Sequence, residues 1–65
     1  MNETQATAVA GALGGEAWHS GGGIWLVRLT NPEGRLVVIS DDLVCEYRDE
    51  DAFRDGEATR TIAMA

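Results

Sequence analysis

Apolar residues at Ala6, Val9, Ala10 and Leu13 recur at the i, i+3, i+4, i+7 spacing of one narrow helical stripe. Asn2 stands where an N-cap belongs, and Gln5 follows three residues later to complete a capping box. Gly14-Gly15 offers the left-handed stop. The spacing predicts a helix over 2–13. Its alanines predict close packing on a flat surface, most simply a sheet. A helix this short is marginal alone in water, so packing has to hold it.

Beyond Gly15 the period changes from helical to alternating. "EAWHS" (16–20) reads as a short strand, "GGG" (21–23) as a turn, and "IWLVRLT" (24–30) as a strand rich in β-branched and aromatic residues. "NPEG" (31–34) predicts a three-residue hairpin loop with a G1 bulge. Pro32 presets φ for the turn and Gly34 takes the left-handed position. "RLVVIS" (35–40) is the return strand. Pairing Asn31 with Arg35 sets Leu29 opposite Val37 and Val27 opposite Ile39. Trp25, Val27, Leu29, Val37 and Ile39 then share one wholly apolar face, and a one-residue slip would put Arg28 on it.

"SDD" (40–42) turns the chain into "LVCEYR" (43–48). A three-residue loop sets Ile39 against Leu43 and Val37 against Cys45, which adds Leu43, Cys45 and Tyr47 to the core face. A two-residue loop would bring Glu46 there and is disfavoured on that ground. "DEDAFRDG" (49–56) predicts one or two helical turns, with Asp49 as N-cap and Gly56 as the stop. "ATRTIAM" (58–64) alternates as a closing edge strand. The fold class expected is α+β in a single small domain over 1–65: an N-terminal helix on one face of a four- to five-stranded antiparallel β-meander, with a short helical turn near 49–56.

The second face of that sheet carries Ile24, Leu26, Leu36, Val38 and Val44 among Arg28, Glu46 and Arg48. Half-apolar sheet faces are either covered or used. Two outcomes are open: the C-terminal segment folds over this face, or the face is an interface. In the second case Trp18, Ile24, Leu26, Leu36, Val38 and Val44 are the contact residues, and Val38→Glu should give a soluble monomer.

Size sharpens the choice. A chain of 65 residues buries only about 60% of its unfolded surface and needs a supplement to its core. Cys45 is the single cysteine and His19 the single histidine, so neither an internal disulfide nor a Cys/His zinc site is available. Self-association, as a dimer first of all, is the device that remains. The lone cysteine fits a reducing, cytoplasmic compartment. No apolar run is long enough for a membrane span, and Glu3 with no early basic residue does not resemble a signal peptide.

Charge excludes more. Eleven acidic residues face five arginines and no lysine, for a net charge of −6. Direct nucleic-acid binding and an anionic membrane surface both need the opposite sign. Without lysine there is no Schiff-base chemistry and no Walker-type phosphate site. The run "HSGGG" (19–23) has glycines but precedes a strand rather than a helix and lacks GxGxxG spacing, so it reads as a turn and not a phosphate cradle. His19 and Ser20 adjoin each other without an orienting acid. Cys45 alternates among apolar residues beside Glu46, the setting of a structural thiol. The acidic cluster Asp41, Asp42, Glu46, Asp49, Glu50, Asp51, Asp55 and Glu57 does not match a calcium loop.

No catalytic, cofactor-binding or metal-ligating set is therefore expected. The reading with most behind it is a small non-catalytic protein-binding, adaptor or regulatory protein that self-associates. The alternative is an acidic mimic of nucleic acid, which would place the carboxylate cluster in the basic site of a DNA- or RNA-binding protein.

Overall fold

A computed structural model describes residues 1–63. Met64, expected at the end of the last strand, lies outside the described residues. The chain forms α1 (Glu3–Leu13), β1 (Glu16–Gly21), β2 (Ile24–Thr30), β3 (Leu36–Ile39), β4 (Leu43–Tyr47), α2 (Glu50–Asp55) and β5 (Arg60–Ala63). The five strands form one antiparallel sheet in the order β1-β2-β3-β4-β5. This is the α+β meander expected.

The local signals that predicted α1 act as written. The Asn2 side chain accepts a hydrogen bond from the Gln5 N–H at 2.8 Å, and the Gln5 side chain accepts one from the Asn2 N–H at 2.9 Å. Gly14 ends the helix in the left-handed region at φ 72°. The β2–β3 hairpin also forms as predicted. Asn31 and Arg35 close it at 2.9 Å, Gly34 sits at φ 82°, and Val27 and Leu29 face Ile39 and Val37.

Helix α1 packs chiefly on β1 and β2, and its flank reaches Ile39 of β3. Ala6 and Ala10 meet Val27 there, with Met1, Val9, Ala17, Trp25 and Ile39 around them. On the opposite face, α2 packs on β4. Val38 (6% exposed) and Ala52 are buried. Val38 is level with Arg28 and Cys45 in the strand register, on the face away from α1. Every fully buried apolar residue is an alanine or a valine, and Val27 is the largest of them with no exposed surface.

The β3–β4 connection corrects the predicted register. Ser40 donates its backbone N–H to the Leu43 carbonyl at 2.9 Å, so the loop is the two residues Asp41-Asp42. Ile39 pairs with Val44, Val38 with Cys45, Val37 with Glu46 and Leu36 with Tyr47. Val44 and Glu46 therefore lie on the α1 side, while Leu43, Cys45 and Tyr47 lie on the other. The reason is that the α1-side face is not uniformly buried. The helix does not extend over β4, so Glu46 there stays partly exposed and meets Arg35 at 2.8 Å and Asn31 at 3.3 Å. A rule that bars charge from a core face fails where the core ends partway across the sheet.

Gly15 is required by close approach. A Cβ built there would stand 2.6 Å from the Arg28 carbonyl oxygen and 3.1 Å from the Leu29 Cβ. Gly11, in mid-helix, has open space around it. Gly15→Ala should lower the stability measured by urea unfolding by about 1–3 kcal/mol through backbone displacement. Gly11→Ala should raise the stability of the isolated chain by about 1 kcal/mol through helix propensity.

Candidate functional site

Two surfaces hold the unusual chemistry of this fold. The first is the α2 side. Asp49 caps α2 by accepting from the Ala52 N–H at 2.9 Å, and Gly56 ends it at φ 72°. Within this short helix only Ala52 and Phe53 are apolar, so they set which side turns inward. The Phe53 ring meets Trp18 edge-on at 5.2 Å and Tyr47 at 5.3 Å. Arg28 reaches the same cluster. Its guanidinium carbon lies 5.1 Å from the Trp18 ring centre and 4.9 Å from that of Phe53. The Arg28 Nη2 binds both carboxylate oxygens of Glu50, while its Nε is buried without a hydrogen-bond partner. Only 12% of the Arg28 side chain is exposed.

The residues expected at an interface are divided between the two faces of the sheet. Trp18, Leu26, Leu36 and Val38 lie on the face that α2 and its aromatic residues partly cover, and Val38 is not accessible. A glutamate at 38 would unfold the protein rather than dissociate it, because the carboxylate would lack a partner. Val44 lies on the opposite face. Ile24 (55% exposed) sits at the start of β2, away from the cluster.

The acidic cluster is largely internally paired. Glu50 binds Arg28, Asp51 binds Arg54, Asp49 binds Arg48 at 3.0 Å, and Glu46 binds Arg35 at 2.8 Å. The Met1 ammonium meets Asp41 at 2.6 Å. Asp42, Asp55 and Glu57 make no ion pair among the described residues. Arginine pairing holds the Glu50 carboxyl below its ordinary range. The Ala52 N–H first, and Arg48 second, do the same for Asp49.

His19 lies on an exposed strand, opposite Trp25 in register, and stacks on that ring at 4.8 Å. Ser20 is exposed beside it. Cys45 stands 3.7 Å from the Thr61 hydroxyl on the α2 side. Burial first, and Cys45 second, push the Tyr47 phenol up from its ordinary value. The three glycines at 21–23 all have positive φ and turn β1 into β2. Among the described residues no three His, Cys, Asp or Glu side chains converge on a metal-sized site. No helix is long and apolar enough to cross a membrane.

The second surface is the part of the α1-side face that α1 leaves open. Its floor is β3, β4 and β5, with Val37 and Ile39, then Val44, then Ile62. Ile62 is 46% exposed, and Leu13 at the end of α1 is 52% exposed. A cleft of about 350 Å³ between α1 and this floor is lined by Met1, Gln5, Val9, Ile39, Ser40 and Asp41. One end of the floor carries Glu46 and Arg60, which face each other in register, and Arg35 beside Glu46. Arg60 is the one arginine without an ion pair among the described residues. Sequence reasoning missed this surface because it assumed that the helix covered the whole face. A helix about 10 Å wide spans two strands set about 4.8 Å apart, so five strands exceed its reach.

Compared with family models, curated proteins and solved structures, the chain has no significant match.

The α2 side yields two checks. Arg28→Ala should cost about 2 kcal/mol in urea unfolding, because it removes two ring contacts in a largely desolvated site. Glu50→Gln should cost clearly less, since Glu50 faces solvent. Both Glu50 and Asp49 have depressed pKa values. Their stabilising effect is therefore complete above the ordinary carboxylate range and is lost as pH falls through the folded-state values. Thermal midpoints should be flat above about pH 5 and decline below about pH 4, with a shallower decline in the Glu50→Gln variant.

Proposed function

We propose that this protein is a non-catalytic protein-binding module whose docking surface is the open half of the sheet beside α1. One observation carries the reading. Val37, Val44 and Ile62 form the α1-side surface of β3, β4 and β5, beyond the two strands on which α1 chiefly packs, and Ile62 is 46% exposed. Apolar surface of this kind, rimmed by charge, is the physical mark of an interaction site. The buried core of alanines and valines adds support, since a domain this small gains stability by covering such a face.

The reading as an acidic mimic of nucleic acid has less support. Four carboxylates of the cluster are bound to arginines of the same chain, which blunts the anionic field such a mimic needs.

A photo-crosslinking residue at position 44, and another at position 55, test the reading in lysates of cells that express the protein, irradiated at low and at high salt. The reading expects a discrete protein adduct from position 44 that persists at high salt and is lost in Ile62→Glu. An adduct from position 55 that vanishes with salt, with none from position 44, would overturn it in favour of the acidic mimic.

A further inference from the structure

We infer that the occupant of the open half-face is a second copy of this chain, which seats the outer surface of its α1 on β4 and β5. The inference rests on the protein-binding reading above and names the partner.

The outward side of α1 carries Thr4, Thr7, Ala8, Gly11 and Ala12, and all five are exposed. Glu3 is the only charged residue in the helix. A solvated helix face ordinarily carries charge, and beyond Glu3 this one carries none. Small residues on that face also let a second sheet approach closely. Gly11 has no contact in its own chain to explain it, and an exposed glycine in mid-helix costs about 1 kcal/mol relative to alanine.

The open half-face has the complementary shape. It is two to three strands wide, the width of one helix. A two-fold axis running along the strands, between two facing sheets, places β1 and β2 of one copy over β5 and β4 of the other. Each α1 then fills the vacant half of its partner, and the two helices lie side by side between the sheets. Gln5 and Val9 share the cleft with Ile39, so this flank of α1 faces the axis. Such a contact is self-complementary and closes on itself.

Charge agrees with this placement. The Met1 carbonyl accepts from the Trp25 N–H at 3.2 Å, and α1 ends at Gly14-Gly15 beside Arg28 and Leu29, so α1 runs in the direction of β2. The axis preserves that direction. The partner's helix thus ends over the row that holds Glu46 and Arg60. The last turn of α1 has no basic residue of its own. The unpaired Arg60 of the other copy supplies the cation that a helix C-terminus favours. Arg35, Glu46 and Arg60 at this end of the floor make a net positive set in a chain of charge −6, and Asp41 at the other end is paired with the Met1 ammonium. The contact therefore carries little of the chain's acidic excess.

Area agrees as well. The molecule measures 27 × 25 × 24 Å and exposes 4271 Å². One of its six sides is roughly 700 Å², close to the ~800 Å² per partner of a stable interface.

The test is mass by light scattering at about 100 µM protein, a concentration that detects weak dimers. Wild type should have twice the 7.0 kDa of one chain. The double variant Ala8→Glu/Ala12→Lys keeps net charge and adds a favourable helical pair. It should have the mass of one chain with an unchanged circular dichroism spectrum. Ile62→Glu should do the same from the sheet side, and Ile24→Glu should remain dimeric. A monomeric wild type overturns the inference. So does a dimer that survives the α1 double variant, or one broken by Ile24→Glu. If wild type is monomeric while position 44 still gives its Ile62-dependent adduct, the protein-binding reading stands with a different chain as occupant. If both are absent, both fall.

Discussion

A sheet with two apolar faces has to be covered on both, and this chain has eleven residues of one helix and six of another with which to do so. That shortage organises the structure. The longer helix closes down on β1 and β2 through alanines, which bring it near but reach no further. The shorter helix has only Ala52 and Phe53 to offer, so β1, β2 and β4 contribute Trp18, Arg28 and Tyr47 to enlarge the plug. Arg28 in this setting works as a flat hydrophobic plate with a charged rim. Its guanidinium lies near two rings while one nitrogen holds Glu50 at the surface. A lysine ammonium, compact and strongly hydrated, could not take that place. The absence of lysine from the composition is consistent with arginines that stack and pair rather than merely solubilise.

Much of this architecture was legible in the residues. Capping boxes, left-handed glycines and the Pro32–Gly34 turn are local devices, and they form locally, so α1, α2 and the β2–β3 hairpin fall where their signals place them. The β3–β4 register was not legible, because it depends on which parts of a face are covered. Glu46 looked impossible on the α1 side until the helix proved too narrow to reach β4. The role of Phe53 was visible in part. It is the one large apolar residue in a helix capped at both ends, and such a residue has to face inward. Which residues it would meet depended on the strand pairing. Whether the C-terminal segment would cover the second face was open in the sequence, and the interface residues chosen there belonged to the outcome in which it did not; α2 covers part of that face and Val38 is buried.

The acidic cluster shows how composition and position carry different information. Read as a total, the carboxylates make the chain strongly anionic. Read in place, four of the cluster's eight sit beside an arginine and Asp41 beside the Met1 ammonium, and their pairing ties loops and the start of α2 to the sheet. The residual negative charge favours solubility without directing it at any one surface. The exposed apolar floor, by contrast, is accompanied by Arg60, the one arginine without an ion pair among the described residues.

The strand order bears on how the chain assembles. Each strand hydrogen-bonds to its neighbour in sequence, with no crossover, so the contacts of the sheet close short loops and the entropy lost in each closure is small. Topologies dominated by such nearby pairings cross the folding barrier faster than sheets of similar size with distant partners. Most contacts of the N-terminal helix are made with β1 and β2 inside the first thirty residues, and β3 then adds only Ile39 to that core.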